Sequence, residues 1–355
     1  MDWPNELGTL ILTARNPTES GDAIRCAASI LRAGGLVAFP TETVYGLGAD
    51  ALNAKAVAGI FAAKGRPVDN PLIVHIAEAS QMESLAQNIP PEAYLLADKF
   101  WPGPLTLVLE SRPAVPPETT GGLHSVALRV PDHPAALALL KEAAVPVAAP
   151  SANLSGTPSP TSARHVLDDL AGRIDAVLDG GPSGVGVEST VLDIRNGQPL
   201  LLRPGGVTPE EIAFILGREC PQAYWQENMS EPPPSPGLKY GHYAPKAPLY
   251  LVRGQPGAVL DRVRELRDYF QTRGDKVGLL LSRESAGDIV SEYVEILGDR
   301  KDAGELAANL YAALRRFDQQ NVDVIIAEGY GEEGMGLALM NRLIKAAGSR
   351  VIDVE

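Results

Sequence analysis

Two hydrophobic rhythms alternate along this chain: apolar positions three to four residues apart, and short apolar runs of four or five. Ser20–Ala33 carries the first rhythm and is stopped by Gly34-Gly35, which predicts a helix. Leu36–Phe39 predicts a short buried strand broken by Pro40-Thr-Glu-Thr43. Ala54–Ala63 predicts a helix ending at Lys64-Gly65, and Leu72–Ile76 a strand with His75 inside it. Leu105–Leu109, Val126–Val130, Val145–Ala149 and Thr190–Ile194 read as strands. Pro91–Phe100, His133–Glu142 and Ser162–Ala171 read as helices. The two kinds of element do not alternate strictly, so a twisted, mixed, open sheet fits better than a doubly wound one.

The last third is more regular. Leu249–Val252, Lys276–Leu281 and Val322–Ala327 read as strands, and Gly257–Thr272, Ala303–Gln319 and Leu337–Ala347 as helices. That alternation predicts a smaller Rossmann-like parallel α/β domain. The stretch between is rich in Pro and Gly, including Glu231-Pro-Pro-Pro-Ser-Pro-Gly237. The expected organisation is a catalytic α/β domain at 1–217, a linker contacting the active site at 218–247, and a second domain at 248–355. A length of 355 residues suits two domains.

Charge narrows the function. The formal net charge is −13. Residues 1–243 hold 16 basic and 26 acidic residues, a balance of −10, and residues 244–355 hold 15 and 18, a balance of −3. Little direct nucleic-acid binding is expected, because neutralising phosphates needs a basic face. A local basic pocket for one nucleotide remains compatible. Cys26 and Cys220 lie far apart without metal-ligand spacing, which suits reduced thiols. The acidic N-terminus lacks a signal-peptide pattern, and no apolar run reaches ~18 residues. A cytoplasmic protein without a membrane span is expected.

Five clusters could carry chemistry. Pro40–Gly48 gathers Thr41, Glu42, Thr43 and Tyr45 at a strand end, with Gly46 and Gly48 to let backbone approach a ligand. The plain alternative is a polar loop. Lys64-Gly-Arg66, followed by Asn70-Pro-Leu72, sets two cations on a turn; they suit phosphate oxygens, or are solvated surface charges. Pro150-Ser-Ala-Asn-Leu-Ser-Gly156, running on to Ser159 and Thr161, offers neutral groups for phosphate or ribose, or a helix cap. Gly180–Thr190 leads into Val187-Glu-Ser-Thr190, and Arg203-Pro-Gly-Gly206 adds a polar anchor beside glycines. No P-loop, no Gly-x-Ser-x-Gly elbow and no metalloprotease spacing occurs. Hydroxyls, cations and glycines fit positioning and electrostatic stabilisation of a phosphate better than covalent catalysis. Gly329-Tyr-Gly-Glu-Glu-Gly334, with Asp353 beyond it, matches a dinucleotide fingerprint. However, Glu332 and Glu333 would place negative charge where a pyrophosphate belongs.

In this order, Pro40–Gly48, Lys64–Pro67, Asn70–Leu72, Pro150–Asn153 and Val187–Thr190 resemble the YrdC-like threonylcarbamoyl-AMP synthases. Arg203-Pro-Gly205 and Ser235-Pro-Gly-Leu-Lys-Tyr-Gly-His-Tyr-Ala-Pro245 resemble the two-domain members. The resemblance spans essentially the whole chain. It implies a nucleotidyltransferase reaction in which L-threonine, bicarbonate and ATP give threonylcarbamoyl-AMP, pyrophosphate and water. The product would then pass to a complex that modifies tRNA. Magnesium is expected with the triphosphate, and no protein-bound metal. The resemblance places Thr43, His75, Arg129 and Ser189 on threonine. It places Lys64, Arg66, Asn70, Thr120, Ser151, Asn153, Ser159, Arg203 and Tyr243 on ATP, with Lys64 and Arg66 catalytic. Tyr243 is expected to close over the nucleotide. Leu238 and Gly241 stand where such proteins usually have Met and Arg, and the second change removes a candidate phosphate contact. Competing readings are an RNA-binding module on the same fold, a nicotinamide-dependent oxidoreductase using Gly329–Gly334, and carbamoyl transfer in hydrogenase maturation.

Overall fold

The computed structural model describes residues 8–16, 20–223 and 243–355. The chain divides into two units. One comprises Met1–Ser155, Ser159–Gly184 and Glu188–Tyr240; the other comprises Gly156–Pro158, Val185–Val187 and Gly241–Glu355.

The first unit is built on a mixed sheet of eleven strands among the described residues. In chain order they are β1 (Leu10–Thr13), β2 (Val37–Phe39), β3 (Gly46–Asp50), β4 (Ile73–His75), β5 (Ala86–Gln87), β6 (Leu105–Ser111), β7 (Ser125–Arg129), β8 (Val147–Ala148), β9 (Ala176–Asp179), β10 (Thr190–Asp193) and β11 (Leu200–Arg203). Their order across the sheet is β1-β9-β2-β3-β8-β4-β7-β6-β10-β11, with β5 on β6. Parallel and antiparallel pairs are interspersed: β4 runs parallel to β7, with His75 opposite Arg129, and antiparallel to β8. The mixed character is as the element order predicted.

Helices cover the sheet because their apolar stripes match it. Gly21–Arg32 buries Ile24, Ala27, Ala28 and Leu31, one face at helical spacing. That face packs with Ala135, Ala136, Leu139 and Leu140 of the helix Pro134–Ala143 over Val37, Phe39, Val147 and Leu178. Ile73, Val108, Ala127, Val191 and Leu202, from β4, β6, β7, β10 and β11, form a smaller apolar cluster of their own.

Three readings change. Gly46–Asp50 is a strand, not the end of a loop, paired with β2 on one side and β8 on the other. Its glycines serve packing: a Cβ on Gly48 would lie 2.8 Å from Val147 Cγ1 and 2.9 Å from Phe39, and one on Gly46 3.2 Å from Ala149 Cβ. The loop between β2 and β3 is therefore only residues 40–45. The Val145–Ala149 strand shrinks to two residues. Leu10–Thr13, Ala176–Asp179, Leu200–Arg203 and the helix Pro209–Leu216 are additional.

In the second unit, β12 (Leu249–Arg253), β13 (Val277–Leu281), β14 (Tyr293–Ile296), β15 (Val324–Glu328) and β16 (Val351–Asp353) form an all-parallel sheet, ordered β14-β13-β15-β12-β16. Val259, Val263 and Leu266 of Pro256–Thr272 pack on Val252, Leu279, Leu281 and Ile326. This is the Rossmann-like arrangement expected. The Gly329–Gly334 loop does follow β15, but Asp353 accepts from Arg253 Nε at 2.8 Å, and Arg253 also meets Glu332 at 3.5 Å. The acidic partner that a dinucleotide ribose would need is thus held by an arginine.

Candidate active site

The site begins where β2 ends. Thr41 ties the 40–45 loop together: its Oγ1 donates to Val44 O at 2.6 Å and accepts from Thr43 N and Val44 N, each at 3.2 Å. Ser183 Oγ donates to Thr41 O at 2.9 Å. With the Thr41 hydrogen spent on Val44, the 2.8 Å contact between the two threonine hydroxyls has Thr43 Oγ1 as donor. Thr43 Oγ1 in turn accepts from Arg129 Nη1 at 3.0 Å. Arg129 stands at the end of β7, donates Nε to Gly103 O at 3.2 Å, and pairs with Glu42 through Nη2 at 2.5 Å. The sheet register sets His75 beside Arg129. Burial, then the Arg129 charge, lowers the His75 pKa to about 3. Its imidazole is therefore neutral at physiological pH, with Nδ1 buried and no partner among the described residues.

A second cluster forms at the end of the helix Ala54–Lys64. Asn53 caps its start, accepting from Lys55 N and Ala56 N, and Gly65 ends it in the left-handed region at φ 61°. That turn sends Lys64 and Arg66 inward instead of out to water; both are buried. Lys64 Nζ donates to the carbonyls of Ser151 and Asn153, and Arg66 Nη2 to Pro71 O at 3.2 Å. Asn70 is fully buried, yet neither its Oδ1 nor its Nδ2 has a partner among the described residues. Ser159 Oγ donates to Glu188 Oε1 at 2.5 Å. Ser189 Oγ meets Thr106 Oγ1 at 2.8 Å, and Arg203 donates to Ser189 O at 3.0 and 3.1 Å.

Lys64, Arg66, Arg129 and Arg203 are all buried in this unit. Cations gathered at buried positions suit anionic ligands, and a triphosphate and an amino-acid carboxylate are of that kind.

Residues 29–205 match the family model Sua5_yciO_yrdC, described as telomere recombination, and 207–348 match the one described as threonylcarbamoyl-AMP synthase, C-terminal domain. Threonylcarbamoyl-AMP synthase of Bacillus subtilis is 53% identical over 92% of this chain and 93% of its own. That of Pyrococcus abyssi is 50% identical over 98% and 100%. The chain belongs to the threonylcarbamoyl-AMP synthase family. The crystal structure of Pyrococcus abyssi Sua5 complexed with L-threonine superposes with a TM-score of 0.92 at 49% identity, covering 98% of this chain and 100% of that one.

Within this family member, the structure joins Thr43, His75 and Arg129 in one cluster and Lys64, Ser151 and Asn153 in another. Arg203, expected on ATP, is hydrogen-bonded to Ser189, expected on threonine. Thr120 lines a cleft of about 370 Å³ with Gln87, Arg112 and His124. A Cβ on the neighbouring Gly121 would lie 3.0 Å from Asp69 O and 3.1 Å from Pro71 N. Tyr243 is buried in the second unit, its ring 5.4 Å from Tyr311 and 5.4 Å from the Arg342 guanidinium. Leu238 and Gly241 lie outside the described residues. Sequence reasoning gave no role to Glu42, Thr106 or Glu188. A lone Thr within the apolar run Leu105–Leu109 was the available signal for Thr106.

The depressed His75 pKa makes a stability prediction. The unfolded imidazole titrates near ~6.5 and the folded one near 3, so the unfolded chain binds the extra proton between them. Stability from this group is present above ~6.5 and is lost as pH falls, by up to ~1.4 kcal/mol per pH unit. His75→Gln is expected to flatten the decline of urea-unfolding free energy between pH 6.5 and 5. Parallel curves for the two proteins would contradict this.

Proposed function

We propose that this protein condenses L-threonine, bicarbonate and ATP into threonylcarbamoyl-AMP, with release of pyrophosphate and water. The observation that carries the reading is Asn70, fully buried with neither side-chain polar atom partnered among the described residues, next to the buried Arg66 that donates to its backbone carbonyl. In this reading the zwitterion of threonine lies against Thr43, Arg129 and neutral His75, with Ser189 at its far end. Loss of water between the amine and bicarbonate gives N-carboxy-threonine. One carbamate oxygen then attacks the α-phosphorus of ATP as the bond to the pyrophosphate oxygen breaks.

Lys64 and Arg66 hold the phosphates and offset the charge that builds on the transferring group, worth most where water is excluded. Asn70, Ser151, Asn153 and Ser159 orient the nucleotide, with Thr120 and Arg203 behind them. ATP would enter as its magnesium complex, with the ion carried on the triphosphate oxygens. Among the described residues, no group of three or more His, Cys, Asp or Glu could hold a metal. We place the protein in the cytoplasm, handing its product to a complex that modifies tRNA. No helix among the described residues is long and apolar enough to cross a membrane.

The test is pyrophosphate release with single omissions. The expected result is release only when ATP, threonine and bicarbonate are all present. Release at an equal rate without threonine would overturn the reading.

A further inference from the structure

We infer that Glu42 recognises the amino group of the substrate: its Oε2 accepts a hydrogen bond from the threonine nitrogen and so sets the specificity of the subsite for an α-amino acid. The inference rests on the threonine reading above and adds a residue to it.

Glu42 sits between Thr41 and Thr43 on the loop after β2, and only one of its oxygens is used. Oε1 accepts from Arg129 Nη2, while Oε2 is closed off from solvent and has no partner among the described residues. No described neighbour donates to Oε2. Arg129 turns its other hydrogen-bonding groups to Gly103 O and Thr43 Oγ1. His133, whose ring feels the Glu42 charge, accepts from Ala135 N on Nδ1 and is hydrogen-bonded to the Gly180 backbone. A buried carboxylate oxygen without a donor is costly to the fold unless a ligand supplies one.

The rest of the subsite says which ligand group that is. Thr43 Oγ1 has spent its hydrogen on Thr41, so it offers a ligand only a lone pair. His75 adds a buried ring nitrogen, Nδ1, with no hydrogen-bond partner among the described residues. Arg129 is the donor. Threonine answers this pattern group by group: its carboxylate suits Arg129, its hydroxyl, donor and acceptor both, suits the His75 ring nitrogen, and its ammonium brings the donors that Glu42 Oε2 and Thr43 lack. The Glu42–Arg129 ion pair thus faces the zwitterion with opposite polarity, anion to cation at each end. After carboxylation the carbamate nitrogen keeps one hydrogen, so the same contact can hold the intermediate.

The test is binding of two ligands to the full chain, wild type and Glu42→Gln: L-threonine, and 3-hydroxybutyrate, which keeps the carboxylate and hydroxyl but lacks the nitrogen. The glutamine amide oxygen can still accept from Arg129, but its NH2 meets the ligand's donors. Glu42→Gln is expected to weaken threonine by about 10- to 100-fold, the range for a hydrogen bond to a charged group, and to leave 3-hydroxybutyrate within about threefold. Equal weakening of both ligands would mean that Glu42 only holds Arg129, and would overturn the inference. So would unchanged threonine binding. Should Glu42→Gln not fold, the wild type alone decides: it must prefer threonine to 3-hydroxybutyrate by at least about tenfold, and equal affinities overturn the inference. A wild type that binds no threonine would remove the functional reading itself, a result distinct from an unchanged variant.

Discussion

Replacing Lys64 with Met is expected to lower the rate of pyrophosphate release at least ~100-fold while the protein stays folded. The methionine keeps the length and apolar stem of a side chain that is 3% exposed, so packing changes little. What is removed is the ammonium that bridges the carbonyls of Ser151 and Asn153 and that we propose holds the phosphates. The two carbonyls lose a donor, at a cost of about 1–3 kcal/mol, which thermal unfolding will register as a shift of several degrees. The larger loss lies in the transition state, where charge spreads over the transferring phosphoryl group. A Lys64→Met protein within about threefold of the wild-type rate would show that this cation does not act on the phosphates.

The second large effect is expected from Gly205→Ala. A Cβ there would stand 2.3 Å from Glu188 O, 2.3 Å from Thr190 N and 2.4 Å from Ser189 C. All three are backbone atoms, so nothing flexible can move aside. Segment 188–190 would have to shift, and it carries the Ser189 that meets Thr106 and Arg203. Such overpacking costs about 1–3 kcal/mol, and a displacement of ~1 Å at a reacting site can cost ~100-fold in rate. Gly184→Ala is the control, because a Cβ there meets nothing within 4 Å. Stability and turnover of Gly184→Ala should match wild type; if Gly205→Ala matches as well, the close approach does not matter to the site.

The two substitutions mark how far sequence reaches. Lys64-Gly-Arg66 was legible as a cationic turn, because Gly65 reads as a helix end. Its inward direction was not, since solvated and buried cations look alike in a sequence. Gly205 was legible only as a glycine; its role depends on backbone that lies fifteen or more residues earlier. Strands that are mostly apolar over five residues, such as Leu105–Leu109 and Val277–Leu281, announced themselves. Gly46–Asp50 did not, because Gly-Leu-Gly-Ala-Asp has turn composition, and it is a strand only through β2 and β8 on either side. Local propensity yields there to cross-strand packing, as the approach of Val147 and Phe39 to Gly48 shows. Glu42 was visible inside its motif but had no role, since its partner Arg129 is 87 positions away. The ordered motifs carried the family resemblance, and the structure adds the buried contacts that several of their residues make.

The central claim is that bicarbonate carbon becomes part of an adenylate formed at this site. It is tested most directly by supplying ¹³C-labelled bicarbonate with ATP and threonine and analysing the adenylate by mass spectrometry and ³¹P NMR. The account predicts an adenylate that contains threonine and one ¹³C, with that carbon coupled through oxygen to the α-phosphorus. An unlabelled adenylate, with threonine joined to AMP through its own carboxylate, would contradict it.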